Sequence, residues 1–226
     1  MNWRKPFTIF LPTLFSLYSS ANAFYVVLDP GHGGKDHGIK KEELSEKELV
    51  LDIAKRVESL LSSRPDLTVV LTRKEDYTVS FNDRRKTANS RTPGLYLSLH
   101  FAAASNLALH DPRIYTLSWS SIPSPSQDLF IPFESAHEKY ATESSRWAYQ
   151  LRDSFLPFFP SVEIRVSPLP LSPLMGITLP AALIEFDYLT STNAQKWKES
   201  ATLDQAAQIV VAAIDRFQMT GNNPSP

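Results

Sequence analysis

The chain has 226 residues, a formal net charge of −1, no cysteine and 42% hydrophobic residues. Without cysteine it can be neither a disulfide-stapled module nor a lipoprotein, and the lack of any basic run argues against nucleic acid as a partner. A polymer that binds such a chain is recognised by shape and hydrogen bonding rather than by bulk charge.

Residues 1–23 read as a signal peptide. Arg4 and Lys5 open it, residues 7–18 are a short apolar run, and Ala21-Asn22-Ala23 has the small-x-small form of a cleavage site. The run is too short to span a bilayer comfortably and no later stretch is long enough, so no stable membrane anchor is expected after cleavage; the competing reading is an anchor that is never cut. Residues 24–219 then form a single domain and 220–226 a flexible tail.

Residues 24–28 are an apolar, β-branched run that reads as a buried strand, ended by Pro30 and the glycines around it. The turn Asp29-Pro30-Gly31-His32-Gly33-Gly34 carries one histidine, and glycines let the backbone approach whatever that histidine binds. By itself His32 reads as a polar turn residue, and it needs partners before it means more. Ser45-Glu46-Lys47-Glu48 has the form of a capping box, with a helix to about Ser63 and Val50, Ile53, Val57, Leu60 and Leu61 along one side. Glu46 lies one turn before Val50 on that side. It is either an inward carboxylate in need of a partner or a first-turn acid favoured by the helix dipole.

Residues 67–72 form a second strand, and Ser80-Phe81-Asn82-Asp83 opens a short polar helix to about Asn89. Thr92-Pro93-Gly94 turns the chain into a third strand that ends on His100. Strands alternating with helices imply βαβ units, and ligands in such sheets bind beyond the carboxyl ends of the strands. His32 and His100 therefore face one crevice, which favours a shared ligand over two unrelated polar residues.

Residues 113–119 alternate as a further strand, and residues 120–142 are proline-broken and irregular. A helix resumes near Glu143 with Trp147, Leu151 and Phe155 on one side. Residues 162–166 read as a strand, and 167–180, with Pro168, Pro170, Pro173 and Pro180, as a semi-rigid loop lining a site. Residues 181–185 are a last buried strand ending on Glu185. Thr202-Leu203-Asp204-Gln205 reads as another capping box, opening a helix with Leu203, Ala207, Val210, Ile214 and Phe217 on its sheet-facing side. The expected fold is α/β, a single domain with a twisted, mostly parallel sheet flanked by helices on both faces.

Two histidines, a glutamate and a later strand-end glutamate make sense as a chemical set. Catalytic Zn²⁺ takes three ligands from His and Glu and leaves a position for water, whose pKa it lowers. A carboxylate outside the ligand set can then move the proton. Mg²⁺ and Ca²⁺ prefer oxygen shells and suit the histidines poorly. The 14- and 54-residue separations between the candidate ligands carry little weight by themselves.

The text resembles the zinc-dependent N-acetylmuramoyl-L-alanine amidases of type 3 over nearly the whole chain after residue 23. Leu28-Asp29-Pro30-Gly31-His32-Gly33-Gly34 matches the first zinc motif, Glu46-Lys47-Glu48-Leu49-Val50-Leu51 looks like the second, and Leu97-Ser98-Leu99-His100 matches the third. Leu71-Thr72-Arg73, Arg84 and Ala88-Asn89 are similar to the linking segment. Pro180-Ala181-Ala182-Leu183-Ile184-Glu185 resembles the segment with the catalytic glutamate. The resemblance implies one Zn²⁺ per chain held by His32, Glu46 and His100, with Glu185 as general base and then acid. It implies hydrolysis of the amide between the muramoyl lactyl group and L-alanine of the peptidoglycan stem peptide, by an exported monomer in the periplasm or cell wall. Two alternatives stay open: a metallo-amidase acting on another acyl-peptide, and a zinc-retaining wall-binding or regulatory protein with weak turnover.

Two stretches depart from the family pattern. Phe101-Ala102-Ala103 stands where a small residue then Asn-Ala is usual, and Phe186-Asp187-Tyr188 where a residue then Gly-Phe is usual. Both are expected to bear on substrate preference and rate, and Asp187 to raise the pKa of Glu185 by like-charge repulsion. Some relatives carry an insertion between the third zinc motif and the next long helix that covers the site until a protein activator displaces it. Residues 120–142, with Glu134 and Glu138, fall in that interval and read as such a lid or as an ordinary packed loop. His37 reads as a solvent-facing turn residue and His110 and His137 as structural. Asp29 reads as orienting His32 or stabilising its turn, and Arg73 as a substrate contact or a structural ion pair.

Overall fold

A computed structural model describes residues 24–118 and 137–221. The expected signal peptide, most of the 120–142 segment and the last five residues lie outside the described residues.

Six strands form one sheet: β1 (Phe24–Pro30), β4 (Leu67–Leu71), β5 (Gly94–Ala102), β6 (Arg113–Thr116), β7 (Arg165–Pro168) and β8 (Ala181–Tyr188), in the order β4-β1-β5-β8-β6-β7. All neighbours are parallel except β6 and β8. A two-stranded hairpin, β2 (Lys40–Lys41) and β3 (Leu44–Ser45), precedes the first helix. The helices are α1 (Glu46–Leu61), α2 (Phe81–Asn89), α3 (Ala141–Phe155) and α4 (Ser200–Gly221). The α/β, mostly parallel architecture read from the sequence is the one observed. No described helix is long and apolar enough to cross a membrane.

Alternation along the central strands divides the core. Val26, Leu28, Leu95, Leu97, Leu99, Ala182 and Ile184 point to the face covered by α1, α3 and α4. Val27, Tyr96, Ala181 and Leu183 point to the other, covered by Ala88 of α2 and by Leu174, Ile177 and Leu179. The proline-rich stretch expected to line a site is thus largely core cover, with a 3₁₀ turn at Ser172–Leu174. Val50, Ile53, Val57 and Leu61 of α1 are all buried, each worth ~1.5–3 kcal/mol. Leu60, expected beside them, is 49% exposed because its position has rotated past the edge of the buried stripe.

Several boundaries differ from the reading, each for a local reason. β1 continues through Pro30 because β4 pairs only as far as Leu28, so the missing proline N–H faces no second neighbour. The capping box at Ser45 does not form. Ser45 ends β3, its hydroxyl is buried without a partner, and the Glu46 N–H donates to Ile39 O instead. The second box fails because α4 already begins at Ser200, with Glu199 O accepting from Thr202 and Leu203. Ser80 does cap α2, accepting from the Asp83 N–H. β7 starts three residues later than expected and includes Pro168 at the sheet edge, where proline is tolerated.

Candidate metal centre and active site

His32 follows the carboxyl end of β1 in a loop held by two buried arginines. Arg73 donates to Pro30 O (2.9 Å), Gly31 O (2.8 Å) and Lys47 O (2.7 Å). Arg84 donates to Pro30 O (2.8 Å) and His32 O (2.6 Å) and pairs with Asp29 Oδ1 (2.6 Å). Among the described residues Arg73 forms no ion pair; buried, it satisfies loop carbonyls. Asp29 stabilises the turn and does not touch the His32 ring. Its carboxylate accepts from Thr72 (2.5 Å), Tyr96 (2.7 Å), Ser98 (2.9 Å) and Arg84. Burial would raise its pKa, but the Arg84 charge and these hydrogen bonds outweigh that and hold it below the usual carboxylate range.

The loop carries His32 in the left-handed region, at φ 61°. That conformation costs a non-glycine residue roughly 1–2 kcal/mol and persists here because both its ends are tied. Arg84 holds the carbonyl, and the ring donates from Nδ1 to Asp36 Oδ2 (2.9 Å). A carboxylate only accepts, so Asp36 favours a proton on Nδ1, and a cation held at Nε2 would replace the proton that Glu46 otherwise draws to that nitrogen.

His32 Nε2 faces Glu46 Oε1 at 3.0 Å, and His100 Nδ1 lies 3.0 Å from the same oxygen. Glu46 is 1% exposed, at the first turn of α1; its other oxygen accepts from the Ile39 N–H (2.8 Å) and Oε1 also accepts from the Phe101 N–H (3.0 Å). Of the two readings of Glu46, the inward one describes its position. The remaining ring nitrogen of His100, Nε2, is buried with no hydrogen-bond partner. The ring packs over Gly31, where a Cβ would fall 2.2 Å from His100 Cε1, so only glycine fits.

One ligand atom each from His32, Glu46 and His100 lie within 4.8 Å of one another. Zinc–ligand bonds of about 2.0–2.1 Å place tetrahedral ligand atoms roughly 3.3 Å apart, close to the 3.0 Å that each histidine nitrogen keeps from Glu46 Oε1. The charges agree. Burial would lower the pKa of His32, yet the hydrogen bonds and charges of Glu46 and then Asp36 raise it overall. Burial likewise opposes ionisation of Glu46, but His100 and His32 hold its carboxyl far below the usual range. A cluster that draws positive charge to this degree suits a cation.

Glu185 ends the expected strand on β8 and is in register with His100. Burial raises its pKa, partly offset by the Tyr115 hydroxyl, which donates to Oε2 at 2.9 Å, and by His100 and Arg113. The like-charge contribution comes from Glu46. Asp187 is not among the main influences, contrary to expectation; it is committed to Lys196 Nζ (2.7 Å) and the Trp197 indole N–H (3.0 Å). The departures at Phe101, Phe186 and Asp187 pack together around Trp197, with the Phe101 and Trp197 ring centroids 4.7 Å apart. They lie in the helix-side core, behind the site.

Asp36 and Tyr115 were not legible as site residues. The signal for Asp36 was its i+4 spacing from His32 in a turn. For Tyr115 it was the shared parity with Arg113 on a strand beside Glu185. His137 is buried against Ile177 O and Ser144, as a structural histidine is, and His110 is exposed and bonds Ala108 O.

Fold and site together define an α/β protein with a candidate metal centre at the carboxyl end of a parallel sheet. The chain belongs to the N-acetylmuramoyl-L-alanine amidase family (Amidase_3), whose model matches residues 26–216. It is similar to the endolysin of Bacillus phage SPP1, 44% identical over 78 residues covering 34% of this chain and 29% of that protein. It is also similar to probable N-acetylmuramoyl-L-alanine amidase AmiB of Haemophilus influenzae, 26% identical over 87% of this chain and 52% of that protein. The chain thus spans about half or less of the length of these curated relatives. Among solved structures, an N-acetylmuramoyl-L-alanine amidase from Clostridium difficile superposes with a TM-score of 0.70 at 26% identity, over 88% of this chain and 98% of that one. The fold is also that of the CwlD amidase from Clostridioides difficile in complex with the GerS lipoprotein, with a TM-score of 0.70 at 17% identity over 87% and 99% of the two chains.

Proposed function

We propose that this chain is a zinc-dependent amidase that cleaves the bond between the muramoyl lactyl group and the first L-alanine of the peptidoglycan stem peptide. The reading rests on the convergence of His32, Glu46 and His100 beside Glu185, in a chain of the amidase family. His32 through Nε2, Glu46 through Oε1 and His100 through Nδ1 would hold the ion. When bound, zinc supplies Lewis acidity that polarises an amide carbonyl and lowers the pKa of water toward neutrality.

The chain's own groups do the rest. Asp36 fixes the His32 tautomer, and the Phe101 and Ile39 N–H groups fix the Glu46 carboxylate. Glu185 accepts a proton from the water that adds to the lactyl carbonyl carbon. It then gives that proton to the alanine nitrogen as the C–N bond breaks, leaving a lactyl carboxylate and a free peptide amine. Its pKa, raised by burial, favours the return of the proton, and Tyr115 holds one oxygen so that the other is free to shuttle.

All four groups come from one chain, which supports action as a monomer. Export, with cleavage after Ala23, fits a substrate outside the cytoplasm. A protein activator is part of the proposal only by analogy with the lipoprotein-bound structural relative. Zinc-loaded protein incubated with purified, glycan-digested cell wall tests the proposal by mass spectrometry. Free stem peptides and muramic acid with an unmasked lactyl carboxylate are expected. Products that keep peptide on muramic acid would overturn it.

A further inference from the structure

Glu185 lies on a rung that crosses four strands: His100 pairs with Glu185, Glu185 with Arg113, and Arg113 with Arg165. Register partners on neighbouring strands project to the same face, and strands are spaced about 4.8 Å apart. The backbone positions of the two arginines therefore stand about 5 and 10 Å from that of Glu185 along the rung, on the side away from His100. We propose that Arg113 and Arg165 form a subsite for a free carboxylate of the stem peptide, on the leaving-amine side of the cut. The inference rests on the amidase reading for the identity of this ligand.

Like charges directly opposite on adjacent strands repel, and each arginine has one carboxylate of its own preceding loop nearby. Arg113 reaches Asp111 at 3.4 Å and Arg165 reaches Glu163 at 3.3 Å, both long contacts to the preceding loop. The guanidiniums are 37% and 66% exposed and border a cavity of about 450 Å³ between residues 108–111 and 161–163. Because β6 and β7 run opposite to β8, their starting ends lie at the carboxyl end of β8, beside Glu185. Arg113 is also fixed over the Tyr188 ring at 5.1 Å, which leaves its fork pre-oriented.

The direction of the substrate follows from the proton transfer. Glu185 protonates the leaving alanine nitrogen, so the peptide leaves along the rung past Glu185. The second stem residue is a γ-linked D-glutamate with an α-carboxyl. At roughly 3.3–3.6 Å per residue, that group falls within reach of Arg113 and Arg165. A fork of planar donors is the chemistry that reads a carboxylate and not a carboxamide.

Calorimetry with an L-alanyl-γ-D-glutamyl peptide and its α-carboxamide counterpart tests this without relying on turnover. The acid is expected to bind roughly tenfold more tightly than the amide at low salt. Arg165→Gln should reduce the preference to roughly threefold, and the Arg113→Gln, Arg165→Gln pair should abolish it. Equal affinities in the unaltered protein, no binding of either peptide, or a preference that survives both changes would overturn the subsite. If the pair fails to fold, Arg165→Gln decides alone, and an undiminished preference in it counts against the subsite. Acid preference in a protein that releases no stem peptide from cell wall would leave the carboxylate site standing and overturn the amidase reading instead.

Discussion

The Tyr115 hydroxyl donates to Glu185 Oε2 at 2.9 Å from β6, which pairs antiparallel with β8, the strand that carries Glu185. A hydrogen bond to a carboxylate stabilises its charged form. Tyr115→Phe should therefore push the Glu185 pKa, already raised by burial, higher still. The acidic limb of the kcat/KM profile then moves to higher pH, since the base must be ionised to act. kcat should fall about tenfold with KM and zinc content unchanged. An unmoved limb in a pH-rate series would remove Tyr115 from this role.

Asp29 and Arg84 form a buried pair, 1% and 6% exposed at their side chains, that ties the His32 loop to α2. Asp29→Asn leaves the guanidinium without its counter-charge and should cost ~3–5 kcal/mol, read as a lower denaturation midpoint. The pH dependence has a defined sign. The folded pKa lies below the ordinary value of 3.8. The stabilisation is thus complete above that value and is lost as pH falls through the folded one. The substituted protein should show a flatter stability curve in that acid window.

The crevice itself was legible. Short apolar runs ending on His100 and Glu185, and another running into the His32 turn, mark strand ends, and parallel-sheet topology puts strand ends together. Helical spacing from Val50 also put Glu46 on the inward side. Tertiary choices were not legible. Ser45 and Thr202 carry capping sequences, but the hairpin takes the first and an earlier helix start bypasses the second. Asp187 looked like a neighbour of Glu185 until Lys196 and Trp197 folded back on it. Tyr115 meets Glu185 only through a register set by an antiparallel strand 70 residues away, which no local pattern encodes.

Metal content separates the roles of His32 and His100 from that of Glu185. His32→Ala and His100→Ala should each abolish bound zinc and activity, because a three-ligand site does not survive loss of one imidazole. Glu185→Gln should keep full zinc and lose roughly two or more orders of magnitude in rate. Elemental analysis alongside rate measurement checks both. Zinc loss in Glu185→Gln would make that residue a ligand.

Asp36 offers a milder test of the same centre. Its carboxylate is 62% exposed and its one side-chain partner in the site is His32 Nδ1, at 2.9 Å. Removing it also frees the Gly38 N–H, which donates to Oδ1 at 3.1 Å in the same exposed loop, and lets the imidazole change tautomer and rotate. Partners of this kind, behind a metal-binding histidine, commonly govern about 10–100-fold in metal affinity. Asp36→Ala should therefore weaken zinc binding by that order in a competition titration with a chelator, with little change in thermal midpoint for the metal-free protein. Because the lone pair on Nε2 depends on the proton sitting at Nδ1, Asp36→Asn should restore part of the affinity, through an amide oxygen that still accepts. Equal zinc affinity in all three proteins would mean that Arg84 and the loop backbone orient His32 without help from Asp36.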